Sequence, residues 1–310
     1  MVSPPAPAII RDEGSAGDAG WVHTMYEALS WYLQLANWRA RGNRNWDFTL
    51  HKTLAVDAAD SSPAAGARCV NDLLQEHAVL RPQPHVLDAG CGFGGTIFFL
   101  HERLGGTYDG FTMSRVQRRI ARKEASRRGI DGACRIHLRN FDDPIEEQYD
   151  AVVAIESLEH APDLRHTLGR LAGALKPGGT LMVVEDMVIG DIDESHPEEA
   201  QLLRSHWGCL RFPRVDDYET LLPEAGLDIG HRVDLTSRVR HRRVAELDVI
   251  ARRYAALFRR IPIAPVRGLI SAYLGGVALE KLYASNEARY RLLIATKRTP
   301  APPTHNATTG

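Results

Sequence analysis

Residues 85–95, with the sequence His85-Val-Leu-Asp-Ala-Gly-Cys-Gly-Phe-Gly-Gly95, decide the fold. The stretch begins as a short apolar run, reaches an acid, breaks into glycines and leads into a helical pattern at 96–104. It therefore predicts a buried strand, a tight turn and the start of a helix. Glycines let the backbone pass close to a ligand, and the helix N-terminus behind them offers unpaired N–H groups.

The same glycine spacing fits the fingerprint of a nicotinamide-dependent oxidoreductase. That fingerprint expects an acid at the end of the second strand, where it binds a ribose. The second strand here ends at Thr112, which disfavours the oxidoreductase. A non-catalytic binding module with the same fold is a further alternative, because a fold does not determine an activity.

Composition and charge exclude several other classes. The chain has 310 residues, of which 44% are hydrophobic and 25% charged, as in ordinary globular domains. Its net charge of -1 gives no overall field that would attract nucleic acid or a membrane. No apolar run approaches the roughly 18 residues of a membrane span. The four cysteines lie far apart without a CxxC pair, which favours reduced thiols, a cytoplasmic location and no metal site.

Strand and helix patterns alternate after the first strand. We expect strands at 107–112, 134–138, 151–155 and 180–185, with helices at 96–104, 115–128 and 164–175 between them. Alternation of this kind predicts a doubly wound α/β sheet with helices on both faces. The ligand crevice of such a sheet lies beyond the carboxyl ends of its strands.

The parts outside this alternation are assigned by composition and spacing. Aromatic residues at helical spacing predict a helix over 21–41, and a second helix over 64–80 completes an N-terminal helical cap at 21–80. The Pro- and Ala-rich ends, 1–20 and 299–310, are expected to be flexible tails that flank a single domain at 21–298. After a helix at 216–224, two last strands at 227–235 and 290–297 leave 236–289 as an insertion on the substrate side.

Residues 85–95 resemble the first motif of class I S-adenosylmethionine-dependent methyltransferases. Gly110-Phe-Thr-Met-Ser-Arg-Val-Gln117 resembles the GxTxSxxQ segment of one subgroup, which includes sterol, tocopherol and prenyl diphosphate C-methyltransferases and sugar O-methyltransferases. The loop at 155–163, the turn at 175–179 and the end at 276–297 resemble the same subgroup. The resemblance implies a Rossmann-like seven-stranded sheet with an antiparallel last strand, and S-adenosylmethionine as cofactor.

The resemblance also implies which residues bind the cofactor. Hydroxyl and amide groups after the second strand stand in for the missing ribose-binding acid, and the segment after the third strand contacts adenine. Ser114 also fits a helix N-cap, and Asn140 also fits a turn residue. The implied cofactor-binding residues are Asp88, Gly90, Cys91, Gly92, Thr112, Ser114, Gln117, Asn140, Phe141 and Glu156.

The loop after the fourth strand supplies the catalytic candidates Glu156, Glu159 and His160. Methyl transfer needs an aligned nucleophile and a proton acceptor near the methyl group. In the resembled C-methyltransferases, the Glu at the position of Glu156 is the functional carboxylate. The sugar O-methyltransferases have His at the position of Glu159 and use an acid comparable to Glu185 or Asp186. His160 also fits a structural loop residue.

The leading hypothesis is carbon methylation of an isoprenoid alkene, such as a prenyl diphosphate, in secondary metabolism. The alternative is O-methylation of a sugar or phenolic natural product. Arginines at 238–243 and further along the insertion suit a diphosphate, which would bring Mg²⁺ with it, although no metal-ligand spacing is visible. The expected partner is a small molecule and not nucleic acid, and a homo-oligomer is left open.

Overall fold

The computed structural model describes residues 27–30, 48–56, 63–78, 80–209 and 211–299. Residues 27–30 are helical, and the rest of the helix predicted at 21–41 lies outside the described residues. The tail predicted at 1–20, and all but the first residue of the tail predicted at 299–310, also lie outside them.

A seven-stranded sheet in the order β3-β2-β1-β4-β5-β7-β6 forms the centre of the molecule. Strand β7 runs antiparallel to both β5 and β6, whereas β1 to β5 are parallel to one another. The predicted doubly wound, Rossmann-like sheet with an antiparallel last strand is therefore confirmed. The strands are β1 (His85–Ala89), β2 (Thr107–Thr112), β3 (Cys134–Leu138), β4 (Tyr149–Ile155), β5 (Leu175–Val188), β6 (Leu227–Asp234) and β7 (Ala288–Lys297).

Helices cover the sheet because its strands bury apolar side chains on both faces. Val86 and Leu87, which are neighbours in β1, belong to two separate buried apolar clusters. Successive side chains of a strand point to opposite faces, so each face packs its own core. The helices are α1 (Pro63–His77), α2 (Gly95–Leu104), α3 (Arg115–Arg127), α4 (Leu164–Gly173), α5 (Ile192–Ser195), α6 (Pro197–Leu202), α7 (Val215–Glu224), α8 (Val244–Arg260) and α9 (Ala264–Ala284).

The fifth strand differs from its prediction at both ends. Pro177 and Gly178 predict a turn, but β5 already begins at Leu175, which pairs with Tyr149 of β4. Gly178 has a φ of 75°, and the register between β4 and β5 shifts in this region. The strand therefore absorbs the irregular residues instead of starting after them. At its other end β5 continues to Val188 because its last residues pair with β7.

The insertion predicted at 236–289 contains one helical turn (Thr236–Arg238) and the helices α8 and α9. Helix α9 packs against α8 and against residues 203–207, and its C-terminus leads directly into β7. Among the described helices, none combines the length and the apolar composition that crossing a bilayer requires.

Candidate functional site

One cavity of about 730 Å³ lies at the carboxyl ends of β1, β2 and β4. Its volume is within the range of about 300–1,000 Å³ that small-molecule sites occupy. The cavity brings together all the cofactor-binding and catalytic candidates of the glycine turn, the segments after the second and third strands and the loop after the fourth strand, although their individual roles stay predictions. These residues are Asp88, Gly90, Cys91, Gly92, Thr112, Ser114, Gln117, Asn140, Phe141, Glu156, Glu159 and His160.

The glycine turn after β1 forms a backbone wall of this cavity. Gly90 has a φ of 111°, which side-chain-bearing residues rarely adopt. A Cβ atom added to Gly90 would lie 2.5 Å from the Cβ atom of Ser157. The turn is fixed to β2, since the N–H groups of Gly90 and Cys91 donate to the carbonyl of Phe111 at 3.1 and 2.9 Å. A ligand can therefore approach the backbone closely here.

Asp88 is a buried acid that lines the same wall. Its side chain belongs to a residue that is 4% exposed, and burial raises the pKa of Asp88 to about 7. No donor of the described residues hydrogen-bonds its carboxylate. A buried acid with no protein donor fits the ammonium group of an amino-acid ligand, which would stabilise its charged form.

The segment after β2 forms a tight polar network. Thr112 donates its hydroxyl to the side-chain carbonyl of Gln117 at 2.6 Å and accepts from the N–H of Ser114 at 3.1 Å. Ser114 caps α3, because its Oγ accepts from the N–H of Gln117 at 3.1 Å. The same hydroxyl donates to Glu27 at 2.8 Å, a contact to the N-terminal helix that the sequence did not suggest. Ser114 is thus an N-cap that also faces the cavity.

The segment after β3 closes this side of the cavity. The side-chain oxygen of Asn140 accepts from the N–H of Asp142 at 3.1 Å, so Asn140 is a turn residue that also lines the cavity. Asp142 in turn accepts from Thr167 of α4. Phe141 and Phe111 add aromatic surface, and the Arg139 guanidinium lies 4.9 Å from the centre of the Phe111 ring. Aromatic walls beside an amide suit a planar heterocycle.

Glu156 directly follows β4 and has a left-handed conformation with a φ of 47°. Such angles are uncommon for residues other than glycine and are often found at functional sites. One carboxylate oxygen accepts two hydrogen bonds, from the Tyr290 hydroxyl at 2.7 Å and from the backbone N–H of Lys52 at 2.8 Å. Both donors come from distant parts of the chain, and neither is among the residues that the sequence predicts for the site.

Lys52 forms an ion pair with Asp186, and its ammonium group lies 3.7 Å from Glu156. Tyr283 donates its hydroxyl to the other oxygen of Asp186. Burial alone would lower the pKa of Lys52, but the carboxylates of Asp186 and Glu156 outweigh it and raise the pKa above its usual value. One cation thus compensates two acids at the end of the sheet.

Glu159 and Glu185 form a second, more deeply buried pair of acids. The residues are 3% and 0% exposed. Burial, together with the charge of Asp186, raises the pKa of Glu159 to about 7, and burial beside Glu159 raises the pKa of Glu185 well above its usual value. Glu185 accepts from the N–H groups of Ser157 and Leu158 at 3.3 and 3.1 Å. Both carboxyl groups of the pair therefore favour their protonated forms more than exposed acids do.

His160 lies next to this pair. Burial lowers the pKa of His160 to about 4, so its ring is neutral at pH 7 and has a nitrogen that can accept a proton. One ring nitrogen is 3.5 Å from Glu159, and the other is 3.9 Å from the sulfur of Cys209. The arrangement can assist removal of a proton from a ligand in the cavity.

Apolar side chains from the insertion, together with Trp207, line the rest of the cavity. The larger ones are Trp207, Tyr254, Leu257, Val266, Leu269, Ile270 and Tyr273. We call this part the acceptor side and the part around Asp88, Gly90 and Asn140 the cofactor side. The cofactor side is polar and the acceptor side is apolar, as is common in cavities that bind a charged ligand next to an apolar one.

The arginines of the insertion do not line the cavity. Arg242 is held by Glu280 at 2.6 Å and by the hydroxyl of Tyr273, and Arg238 lies 3.4 Å from the sulfur of Cys69. Among the described lining residues, Arg139 carries the only guanidinium. The arginine run at 238–243 is therefore placed away from the position that a diphosphate in the cavity would need.

A metal-ligand geometry occurs elsewhere in the described residues. His85, Asp109 and Glu147 could together hold an ion, but His85 begins β1, at the end opposite the cavity. Arg135 already lies 2.5 Å from Asp109, and its charge would repel a cation there. This cluster offers nothing to a metal ion in the cavity.

Comparison with known proteins identifies the family. A family model described as "Methyltransferase domain" matches residues 87–181. The chain is 29% identical over 187 residues to "Methyltransferase GfsG" of Streptomyces halstedii, covering 58% of this chain and 66% of that protein. It is 31% identical over 194 residues to "O-methyltransferase cnsE" of Penicillium expansum, covering 58% and 67%. It is 28% identical over 171 residues to "24-methylenesterol C-methyltransferase 2" of Oryza sativa subsp. japonica, covering 54% and 46%.

The fold is also that of a solved structure, the [4+2]-cyclase SpnF, with a TM-score of 0.67 and 23% identity over 90% of this chain and 95% of the other. The chain spans about two thirds of the first two relatives and less than half of the sterol enzyme. The glycine turn and the buried Asp88 fit the methyltransferase family that the aligned relatives also indicate. The chain belongs to the class I S-adenosylmethionine-dependent methyltransferases and uses S-adenosylmethionine as its methyl donor.

Proposed function

We propose that this enzyme methylates a carbon atom of an isoprenoid alkene. The observation that carries the proposal is the position of Glu156, a carboxylate held by Tyr290 and Lys52 in a cavity whose acceptor side is apolar. Attack by an alkene produces a carbocation, which needs a nearby negative charge and a base that removes a proton. Glu156 meets both needs, and apolar walls exclude the water that would trap the cation.

When bound, S-adenosylmethionine supplies an electrophilic methyl group on a sulfonium. Asp88 would hold its amino group, and the turn at Gly90 would lie against its amino-acid end. The network of Thr112 and Gln117 would hold the ribose, and Asn140 with Phe141 would hold the adenine. These residues orient the donor, and close alignment supplies much of the acceleration in a displacement reaction.

The acceptor that fits best is an isoprenoid without a diphosphate. A diphosphate would find one guanidinium, that of Arg139, among the described lining residues, whereas such groups are usually bound by several cations. The similarity to a sterol C-methyltransferase supports a neutral acceptor. The apolar side chains of the insertion, such as Leu269 and Ile270, would contact its hydrocarbon frame.

The test is to incubate the enzyme with cofactor that carries a ¹³C-labelled methyl group. The acceptors are neutral isoprenoid alkenes, geranyl diphosphate with and without Mg²⁺, and phenolic or glycosylated compounds. We expect a labelled methyl on carbon, detected by NMR of the product, and the highest turnover with a neutral alkene. A labelled methyl on oxygen would contradict the proposal, and preference for geranyl diphosphate with Mg²⁺ would contradict the neutral acceptor.

The matching variant is Glu156→Gln, which keeps the shape of the side chain and removes its charge and basicity. We expect turnover to fall by roughly 100-fold or more, the lower limit for loss of a catalytic base. Glu146→Gln changes an exposed acid outside the cavity and serves as the control. Full turnover in Glu156→Gln would end the assignment.

O-methylation is the second candidate, because cnsE is an O-methyltransferase and because His160 offers a neutral imidazole beside Glu159. A hydroxyl acceptor loses its proton as it attacks, and His160 could take that proton. In this case His160→Gln, and not Glu156→Gln, would produce the larger loss of turnover. The two variants therefore separate the two reactions.

A further inference from the structure

Helix α8 and the turn that follows it expose apolar side chains at the opening of the acceptor side. Val249 and Ile263 are each 57% exposed, more than any other large apolar side chain of the described residues. Leu257 is 40% exposed and at the same time lines the cavity. The apolar surface therefore continues from the outside of the protein into the acceptor side. Exposed apolar surface of this kind often marks an interaction site.

The same segment concentrates positive charge. Residues 238–267 contain nine arginines and two acids, a formal charge of +7 in a chain whose net charge is -1. One of the two acids, Asp248, pairs with Lys281 at 2.6 Å. The exposed arginines of α8 make no ion pair with a carboxylate of the described residues; they are Arg252, Arg253, Arg259 and Arg260.

The spacing along α8 puts both properties on one surface. Val249, Arg253, Leu257 and Arg260 follow one another at intervals of four, four and three residues, which places them on one side of a helix. The exposed residues 262–265, Pro-Ile-Ala-Pro, which join α8 to the first residues of α9, continue this surface beyond α8. Arginines beside exposed apolar side chains are typical of helices that lie in the interface of a membrane.

We propose that this surface docks onto an anionic lipid bilayer, with the opening of the acceptor side towards the lipid. The docking surface consists of Val249, Arg252, Arg253, Leu257, Arg259, Arg260 and Ile263. The overall charge of -1 does not oppose docking, because charges more than about 8–10 Å away are screened at physiological ionic strength. The proposal goes beyond the methylation reaction and does not depend on which atom receives the methyl group.

The positive charge of the docking surface also favours a bilayer over a second copy of the chain as its binding partner. Two copies that met through this surface would bring the same unpaired arginines against each other, which is unfavourable. An anionic lipid surface instead offers a negative charge to each arginine and a hydrocarbon layer to Ile263 and Val249. Such a surface attracts nearby basic residues and accepts shallow apolar side chains.

The experiment is sedimentation of the full chain with vesicles. We expect the protein to bind vesicles of phosphatidylcholine with about one third phosphatidylglycerol, to bind pure phosphatidylcholine far more weakly, and to lose binding as salt increases. Arg259→Gln/Arg260→Gln should weaken binding roughly 30-fold, since each arginine near an anionic surface contributes about a factor of five. Ile263→Ser should weaken it by about tenfold through loss of apolar contact.

Matched controls use similar residues elsewhere. Arg122→Gln/Lys123→Gln removes two exposed cations from α3, and Ile189→Ser alters an apolar side chain that is 44% exposed outside the docking surface. Both should bind vesicles like the unaltered protein. Failure of the unaltered protein to bind, equal binding to neutral vesicles, or equal losses in test and control variants would overturn the proposal. So would a dimer, measured by light scattering, that Ile263→Ser dissociates, because it would assign the surface to a second copy.

Discussion

The cofactor side and the acceptor side of the cavity are built in different ways. On the cofactor side, the hydrogen bonds of Thr112 join near neighbours in the chain, Ser114 and Gln117, which are two and five residues away. On the acceptor side, the Glu156 carboxylate depends on Lys52 and Tyr290, which are 104 and 134 residues away. The first side is thus a local motif with little tolerance for change. The second side is assembled only when the whole chain folds.

The largest effect should come from the backbone of the cofactor side. Gly90→Ala puts a Cβ atom 2.5 Å from Ser157 on a residue with a φ of 111°. Backbone strain and overpacking, about 4 kcal/mol together, should displace the turn and lower the affinity for S-adenosylhomocysteine roughly 1,000-fold in calorimetry. Gly169→Ala adds the same atom in an open position of α4 and should change nothing. Near-normal affinity in folded Gly90→Ala would show that the cofactor side is less rigid than we infer.

The next largest effect should be a loss of stability when the ion pair between Lys52 and Asp186 is broken. Lys52→Met leaves Asp186 and Glu156 without their cation. Breaking a buried ion pair lowers the free energy of unfolding by about 3–5 kcal/mol. Because the Lys52 side chain is 22% exposed, we expect a loss of about 2–3 kcal/mol, measured by urea unfolding.

Two variants test the origin of that loss. Lys52→Met/Asp186→Asn should recover most of the stability, since it also removes the uncompensated charge. Lys176→Met breaks a pair with Asp150 whose side chains are both more than 40% exposed, and it should cost less than about 1 kcal/mol. A loss in the double variant as large as in Lys52→Met would mean that packing, and not charge, is responsible.

A pH dependence distinguishes the cofactor side from the acceptor side. Burial raises the pKa of Asp88 to about 7, and only its ionised form can hold an ammonium group. Affinity for S-adenosylhomocysteine should therefore fall about tenfold for each pH unit below 7 and level off above it. Calorimetry should show this slope vanish in Asp88→Asn and persist in Asp131→Asn, which alters an exposed acid.

The same pKa has a consequence for stability without ligand. The folded state keeps a proton on Asp88 that the unfolded chain releases near the ordinary pKa of 3.8. Through this group, stability falls as pH rises from about 4 to about 7. Asp88→Asn should therefore unfold at higher urea concentration than the unaltered protein at pH 8. Equal midpoints would show that Asp88 has a charged partner in solution.

The smallest effect should come from the apolar wall. Ala272→Leu narrows the acceptor side, so KM for a large acceptor should rise about threefold to tenfold, and the affinity for S-adenosylhomocysteine should not change. Ala284→Leu, at the end of α9 and outside the cavity lining, is the control. A loss of cofactor affinity in Ala272→Leu would show that the acceptor side and the cofactor side do not act independently.

That the residues of the cofactor side would line one cavity could be predicted from the sequence for a physical reason, while their roles stay predictions. Asp88, Thr112 and Asn140 lie at or just after the carboxyl ends of successive strands, and those ends must meet at one edge of a parallel sheet. Lys52 and Tyr290 could not be found in this way, because no local pattern records which distant donor reaches Glu156. Lys52 follows a polar and aromatic stretch at 43–51 whose sequence has no helix or strand period, so no local pattern marks this lysine.

The insertion shows a second limit of sequence patterns. The arginines at 238–243 suggested phosphate binding, but a run of charges does not say which way its side chains point. In the structure Arg242 is held by Glu280, and the cavity wall is formed by apolar residues such as Leu269. Pro177 and Gly178 likewise suggested a turn. In the structure they lie within β5, because pairing with β4 and β7 decides where a strand begins more than local propensity does.

Helix α9 continues into β7, and this continuity constrains how acceptor preference can be re-engineered. Tyr283, in the last turn of the helix, donates to Asp186, and Tyr290, in the strand, donates to Glu156. A chimaera that imports a foreign α8–α9 hairpin would also replace these hydroxyl groups if its C-terminal junction lay after Tyr290. A junction between Tyr273 and Tyr283 would exchange the walls and leave the carboxylate donors native.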